Sequence, residues 1–413
     1  MLEFSDIPYQ FYPAKPNTLI IWLGRLINKR FNLPSERHLI KAVDVRPSFP
    51  PDLHGKRLMF VANHSTHSDP QIVTEVQRQL GLSSCFMAAY DVFERNKLIS
   101  WVMQHAGCFS VNRDGSDGKS MKEAIRILSE GRHALTLFPE GNVYLMNDRL
   151  TPFLDGAAFI ALKAQKQLGP DLPIHVVPLS IKATHLTDQR EAIFLRMECL
   201  AKSIGIHFDR TASIVGEVKR VGVHALERTL KQRGRLPKDL VAIDLPNHLE
   251  HCAQQMIELL ELKMALTARA NASLTDRIRN IRAQVHKIRT DESRKADHGV
   301  AMTWADEAMV ALRVLSYGGN YLDEKPSLDR LGETVEKLLE DVFSEEQPPH
   351  GNRQAYIRIN KAINVASMLD GFKSDTRTTI QALTQKMEMT IQNGLNEINA
   401  TNSHPGSKYL EDL

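Results

Sequence analysis

Residues 58–70 read LMFVANHSTHSDP, and the prediction of the architecture starts from this stretch. Its first part, Leu58–Ala62, is a short apolar run, which is typical of a strand buried on both faces. A polar segment follows and ends at Asp69-Pro70, where an acidic residue and a proline suit the first turn of a helix. We therefore expect a buried strand, a polar turn and a helix in direct succession.

The same alternation continues along the first two-thirds of the chain. Between the apolar runs lie helical patterns such as Lys119–Gly131, which ends in a glycine, and Gly156–Leu168, which stops at a Gly-Pro pair. Strands that alternate with helices predict an α/β fold, a mixed sheet flanked by helices. The further runs interpreted as strands are Cys85–Ala89, Cys108–Val111, Ala134–Phe138, Ile174–Ile181 and Ala212–Val218.

After about residue 240 the sequence carries helical patterns only, which predicts an α-helical C-terminal region. Apolar residues recur at heptad spacing in 249–259 and 274–288, and the polar link 267–273 between them predicts an antiparallel helical hairpin. We place a domain boundary at residue 268, so that residues 1–268 hold the sheet and 269–413 are helical. Later helices are predicted at about 301–315, 328–343, 353–369 and 376–398.

Composition excludes several classes of protein. The chain has 413 residues, of which 42% are hydrophobic and 24% charged, as in an ordinary globular protein. Its formal net charge is +3, so bulk charge does not indicate a nucleic-acid partner. Four cysteines without a CxxC pair favour free thiols in a reducing compartment. No segment approaches the roughly 20 apolar residues that span a bilayer, and the start lacks a secretory pattern, so we expect a cytoplasmic protein.

The most membrane-like segment is Leu19–Ile27 (LIIWLGRLI), which is followed by Lys29 and Arg30. It is too short to cross a bilayer, but as a helix it could lie in the interface with Trp22 at the level of the headgroups. A packed first helix of a soluble domain is the simpler interpretation. The expected location is therefore cytoplasmic, and peripheral binding to a membrane surface stays open as an alternative.

The second arm of the predicted hairpin is strongly basic. One interpretation is a docking face for an acidic partner, such as acyl carrier protein or an anionic lipid surface. The other, which we prefer, is a solvated helix face offset by acidic residues of the same region. The basic residues are Arg277, Arg279, Arg282, Lys287, Arg289, Arg294 and Lys295.

His64 and Asp69 are the first candidates for chemistry. A histidine at a strand end can pair with a carboxylate five residues later, which fixes the imidazole tautomer, stabilises the imidazolium and makes the histidine a general base. The alternative is a plain polar turn in which Asp69 caps the helix. His64, His67 and Asp69 lack a fourth ligand, so the sequence predicts no metal site.

Three further blocks follow the first in a fixed order. GCFSVNRDG ends a strand at Arg113, FPEGN runs over 138–142, and a Val-Pro pair ends at Pro178. Together, the four blocks resemble the glycerolipid acyltransferase family, the PlsC-like lysophosphatidic acid acyltransferases, over about residues 40–220. The resemblance implies an acyltransferase domain within residues 1–268.

The resemblance implies a role for each matched residue. His64 would deprotonate an acceptor hydroxyl, and Asp69 would orient and charge-compensate His64. The implied substrate-binding residues are Asn63 of the first block, Arg113 at an acceptor phosphate or other anionic group, Glu140 and Gly141 in the acceptor pocket, and Pro178 in the wall of the acyl pocket.

The implied reaction moves a fatty acyl group from acyl-CoA or acyl carrier protein to a hydroxyl of a lysophospholipid or related glycerolipid. A thioester carries its own leaving group, so we expect no metal and no cofactor beyond the donor. We also expect direct attack, because no serine or cysteine stands in a nucleophile elbow. Backbone N–H groups at the helix start after Asp69 are expected to bind the oxyanion.

The chain departs from the family pattern at two places. Asn142-Val143 stands where the family has Thr-Arg, and Ala89-Tyr90-Asp91 stands where a lysine is frequent. Both departures favour an acceptor that is less anionic than lysophosphatidic acid, or an acceptor phosphate that is bound by other residues. Acylation of glycerol-3-phosphate and a non-catalytic protein that binds lipid or acyl carrier stay open as alternatives.

Overall fold

The computed structural model describes residues 9–38, 49–113, 117–233, 245–267, 272–323 and 326–410. The strands are β1 (Arg57–Ala62), β2 (Ser84–Ala89), β3 (Cys108–Val111), β4 (Ala134–Leu137), β5 (Ile174–His185), β6 (Arg353–Ile359) and β7 (Ile363–Asn364). The α-helices are α1 (Thr18–Ile27), α2 (Leu33–Ser35), α3 (Asp69–Gln79), α4 (Tyr90–Glu94), α5 (Lys97–His105), α6 (Gly118–Glu130), α7 (Gly156–Leu168), α8 (Arg190–Ser203), α9 (Ile214–Gln232), α10 (Leu245–Lys263), α11 (Leu274–Thr290), α12 (His298–Leu315), α13 (Leu328–Phe343), α14 (Leu369–Ser374) and α15 (Thr376–Thr401).

Two compact units make up the chain. The sheet unit consists of Tyr9–Thr187 and Gly351–Ser407, and the helical unit is built mainly from Asp188–His350. In sequence, the helical unit is therefore an insertion between β5 and β6. This division differs from the predicted boundary at residue 268, because the helical unit already begins at Asp188 and residues 351–407 return to the sheet.

The sheet is mixed, as the sequence predicts. Its strand order is β3-β2-β4-β1-β5-β6, and β7 also pairs with β5. The first five strands are parallel, whereas β6 and β7 run antiparallel to β5. Alternate residues of β1 enter two separate cores: Met59 and Val61 on one face, and Phe60 with its neighbours Leu58 and Ala62 on the other. Burial on both faces explains why this strand reads as a continuous apolar run.

Two predicted elements are wrong. The helix predicted over 353–369 begins instead with strand β6, in which Ala355, Ile357 and Ile359 are buried at a spacing of two. The strand predicted over 212–218 falls largely within helix α9, whose Ser213 cap accepts a hydrogen bond from the Gly216 N–H. In both cases tertiary packing overrides a weak local propensity, with β6 pairing along β5 and α9 packing in the helical unit.

The predicted helical hairpin has both of its arms in the helical unit, whereas residues 268–271 of its predicted link lie outside the described residues. Its arms are α10 and α11, and residues of both, such as Met256 and Ile281, share one core with α12. The basic arm is not a uniform exposed face, because Arg282 and Arg289 are buried and Arg277 pairs with Glu261 at 2.6 Å. These contacts favour the interpretation in which nearby acidic residues offset the charge.

Helix α15 packs closely on β5 in the sheet unit. Ser180 Oγ of β5 donates a hydrogen bond of 2.7 Å to the carbonyl oxygen of Ile391. A Cβ atom on Gly394 would overlap Ser180 Oγ and lie 2.6 Å from Asn360 Oδ1. Glycine at position 394 therefore permits this close approach of helix to sheet.

Candidate active site

The segment between β1 and α3 folds into a turn around the buried Asp69 carboxylate. Asp69 Oδ2 accepts a hydrogen bond from the Thr66 N–H at 2.8 Å, and Oδ1 accepts one from Thr66 Oγ1 at 2.9 Å. His64 Nδ1 lies 3.1 Å from Asp69 Oδ2, and Asp69 has no exposed surface. The structure thus brings together the predicted histidine and aspartate. It does not support Asp69 as the helix cap, because Ser68 holds that position and the Asp69 carboxylate binds Thr66 and His64.

His64 is held on two further sides. Its ring stacks on Phe138 with centroids 4.5 Å apart, and its backbone N–H donates to Glu140 Oε1 at 2.7 Å. The side chain is 17% exposed, so solvent or substrate reaches part of the imidazole. With Nδ1 directed at a carboxylate, the proton lies on Nδ1 and Nε2 is the basic nitrogen.

Glu140 connects the β4 turn to the His64 backbone. Its Oε2 accepts hydrogen bonds from the Thr151 N–H at 3.0 Å and from Thr151 Oγ1 at 2.5 Å. Burial raises the pKa of Glu140, and the hydrogen bonds from Thr151 and His64 oppose that rise. Gly141 follows in the left-handed region at φ 76°, where a Cβ atom would lie 2.9 Å from Leu154 Cδ1. These contacts position His64 through its main chain.

The side chains of Asn63 and Asn147 bind the backbone of β5 beyond the point at which β1 ends. Asn63 Nδ2 donates to the Ile181 carbonyl, and Asn63 Oδ1 accepts from the Ile181 N–H, both at 2.8 Å. Asn147 makes the same pair of contacts with the backbone of Ala183. The resemblance implies a substrate-binding role for Asn63. In the structure, both polar atoms of its side-chain amide are hydrogen-bonded to the backbone of β5.

Pro178 lies in β5 opposite Val61, the penultimate residue of β1. It is buried, and its carbonyl oxygen accepts a hydrogen bond of 2.9 Å from the Asn360 N–H. Because Asn63 and His64 directly follow β1, the Pro178 backbone lies at the level of the sheet end that carries the His64 turn.

Arg113 contacts both positions at which the chain departs from the family pattern. One guanidinium nitrogen lies 3.3 Å from Asp91 Oδ1, and the other donates to Asn142 Oδ1 at 3.4 Å. Arg95 also approaches Asp91, at 4.0 Å. The Arg113 side chain is 26% exposed. The charge of Arg113 is thus partly balanced before any substrate binds.

Sequence reasoning missed part of the site. Thr66 of the first block binds Asp69, and Phe138 of the third block stacks on His64, although the sequence indicates no role for either. Thr151 and Asn147 lie in a segment that offered no pattern. The helix start is also a poorer source of oxyanion donors than expected, because the Asp69 N–H donates to the Thr66 carbonyl and Pro70 has no N–H.

Comparison with known proteins identifies a family for this part of the chain. Residues 39–182 match the family model described as Acyltransferase. The matched range includes the His64 turn, Arg113, the Glu140 turn and Pro178, so the resemblance inferred from the four blocks is confirmed. Among curated proteins, none matches the chain.

Proposed function

Because residues 39–182 are an acyltransferase domain of the PlsC-like family, we propose that the protein transfers a fatty acyl group from an acyl thioester to a hydroxyl of a glycerolipid acceptor. The observation that carries the proposal is the pairing of His64 with the buried Asp69 at the end of β1. Acyl-CoA and acyl carrier protein are the two candidate donors.

The proposed step needs one base and no metal. His64 Nε2 takes the proton of the acceptor hydroxyl as its oxygen attacks the thioester carbonyl carbon. The new C–O bond forms and the C–S bond breaks. The departing thiolate takes the proton from His64 and leaves as a thiol. Asp69 stabilises the imidazolium in between, because its charge lies 3.1 Å from the other ring nitrogen.

The two cysteines of the sheet unit, Cys85 and Cys108, support direct attack over a covalent thioester on the protein. Burial raises the pKa of Cys85 and of Cys108 to about 12, so both side chains are thiols at neutral pH. A thiol is a far weaker nucleophile than a thiolate. The acyl group is therefore proposed to pass to the acceptor in one transfer.

The acceptor is proposed to be a lysophospholipid or a related glycerolipid. Arg113 is the cation that the resemblance assigns to its anionic group, and Asp91 and Asn142 already contact that guanidinium. A carboxylate at this distance competes with a phosphate for the same donors. We expect 1-acylglycerol-3-phosphate to be a weaker acceptor than a lipid with a less charged headgroup.

Thioester consumption tests the proposal. The wild type is incubated with acyl-CoA or acyl carrier protein and with lysophosphatidic acid, glycerol-3-phosphate or neutral lyso-lipids, and released thiol and acylated product are both measured. His64→Ala should lower the rate by about 10²- to 10⁴-fold. His133→Ala is the matched control, since His133 lies at the amino end of β4, away from the site.

Equal rates for the wild type and His64→Ala would refute the role of His64. No transfer by the wild type to any acceptor, with donor or lipid still bound, would instead identify a non-catalytic binding protein. Glycerol-3-phosphate as the preferred acceptor would replace the lysophospholipid by the smaller substrate.

A further inference from the structure

Helix α1 carries an apolar face that the described residues leave exposed. Seven of its ten residues are leucine, isoleucine or tryptophan, yet none of the ten is buried. Leu19 is 62% exposed and Trp22 59%. The simpler interpretation, a packed first helix of a soluble domain, does not account for these exposed side chains.

Helix α5 has the reverse of the usual amphipathic arrangement. Its two buried residues are Ser100 and Gln104, whereas Leu98 is 68% exposed and Trp101 47%. A surface helix normally buries its apolar stripe and exposes its polar residues. An inverted helix of this kind indicates an apolar environment on its outer side.

The two helices adjoin each other within the sheet unit. The backbone N–H of Asn17, the cap of α1, donates to the carbonyl of His105 at the end of α5, and Lys15 N–H donates to Gln104, both at 2.8 Å. The two helices and Phe31, in the helical turn that follows α1, form what we call the apolar patch. It is defined as Leu19, Trp22, Leu23, Leu26, Ile27, Phe31, Leu98, Ile99, Trp101 and Val102.

The apolar patch concentrates the exposed hydrophobic surface of the chain. Of the 19 large hydrophobic side chains that are strongly exposed in the described residues, ten belong to it. Scattered exposed leucines are normal in a folded protein, but a contiguous cluster marks an interaction site.

The charges around the apolar patch favour a partner with an anionic surface. Lys15, Lys29, Arg30 and Lys97 are exposed beside it, and neither residues 14–32 nor residues 96–105 contain an aspartate or glutamate. Tryptophans within an apolar face and a basic rim fit the interface of a bilayer with anionic headgroups. None of the helices in the described part of the chain has the length and hydropathy needed to cross a bilayer.

We propose that the apolar patch docks the sheet unit on the surface of an anionic bilayer, with α1 and α5 in the interfacial region. The proposal does not depend on acyl transfer. If both hold, the patch brings the site to the surface that supplies its acceptor, since α5 leads directly into β3 and Arg113.

Vesicle sedimentation tests the docking with the full chain. Binding to phosphatidylcholine vesicles with a quarter of phosphatidylglycerol should exceed binding to phosphatidylcholine alone. Trp22→Ser, Leu26→Ser and Trp101→Ser should each weaken binding by about tenfold, the contribution of one large buried side chain. Leu172→Ser and Met389→Ser are matched controls, because both residues are exposed in the sheet unit outside the patch. Lys29→Gln should cost about fivefold, on anionic vesicles only.

Tryptophan fluorescence supplies a second readout that needs no change in the patch. The chain has three tryptophans, so Trp304→Phe leaves only Trp22 and Trp101 to emit. Vesicles should shift this emission to the blue, and brominated acyl chains should quench it. Absence of both the shift and sedimentation at millimolar lipid would overturn the proposal.

A protein partner would give a different pattern. If the wild type forms a dimer in sedimentation velocity, the patch substitutions dissociate it and lipid has no effect, then the patch is an interface between two copies and the proposal fails. Acyl transfer to a short-chain acceptor below its micelle concentration is measured in parallel. If the wild type binds vesicles but transfers no acyl group to this acceptor, the result counts against the proposed function alone.

Discussion

Replacing Asp69 by asparagine isolates the charge of the His64–Asp69 pair. An asparagine side chain can keep the turn, since its oxygen can accept from the Thr66 N–H and from His64, while its amide donates to Thr66 Oγ1. The three contacts of 2.8, 2.9 and 3.1 Å then persist without a negative charge. We expect Asp69→Asn to fold with little change in melting temperature.

The expected loss of activity follows from Coulomb's law. Two opposite charges about 4 Å apart interact by about 4 kcal/mol at an effective dielectric constant of about 20. Since roughly 1.4 kcal/mol corresponds to a tenfold change in rate, losing the carboxylate charge should lower kcat by about 10³-fold. The Michaelis constant for the donor should change little, because Asp69 is fully buried.

Initial rates of thiol release measure this effect, with Thr66→Val as the matched control. That substitution removes one hydrogen bond to Asp69 but leaves its charge, and about 1 kcal/mol predicts a loss of about fivefold. The reasoning is refuted if Asp69→Asn keeps more than a tenth of the wild-type kcat. It is refuted equally if Thr66→Val loses as much as Asp69→Asn.

Three further predictions concern other parts of the chain. Asp91→Asn should free Arg113 and lower the Michaelis constant for phosphate-bearing acceptors by about fivefold, leaving that for neutral acceptors unchanged; an equal effect on both classes would contradict the proposed competition. Gly394→Ala should destabilise the fold by about 1–3 kcal/mol in urea unfolding, whereas Gly156→Ala, where nothing lies within 4 Å of the added Cβ, should not. Burial lowers the pKa of Lys337 from 10.5 to about 8, so only the unfolded chain is protonated between these values and stability should rise with pH there, by up to about 3 kcal/mol. Lys337→Met should flatten this rise, and an unchanged pH dependence would show that Lys337 is not its source.

Much of the fold could be predicted from local pattern alone. The apolar run of β1 and the heptads of α10 and α11 reflect burial, which acts on every residue of the element. Strand β6 could not be predicted in the same way, because its partner β5 lies more than 160 residues earlier, and only that pairing selects a strand over a helix.

The site was predicted to a similar extent. His64 and Asp69 could be paired from spacing, since a short turn joins them. The contact of Arg113 with Asp91 and Asn142 could not, because three separate strand ends must first meet at one edge of the sheet. Both departures from the family pattern were visible in the sequence, but their common partner was visible only in the structure.

The insertion of the helical unit between β5 and β6 affects how the chain is made. A ribosome must synthesise residues 188–350 before β6 exists, which takes about 10–30 s at 5–20 residues per second. During that interval the nascent β5 has no neighbour along the edge that β6 will occupy, and an open strand edge invites pairing with other chains. Truncated products that stop before residue 351 should therefore aggregate, and chaperones that shield strand edges should matter most late in translation.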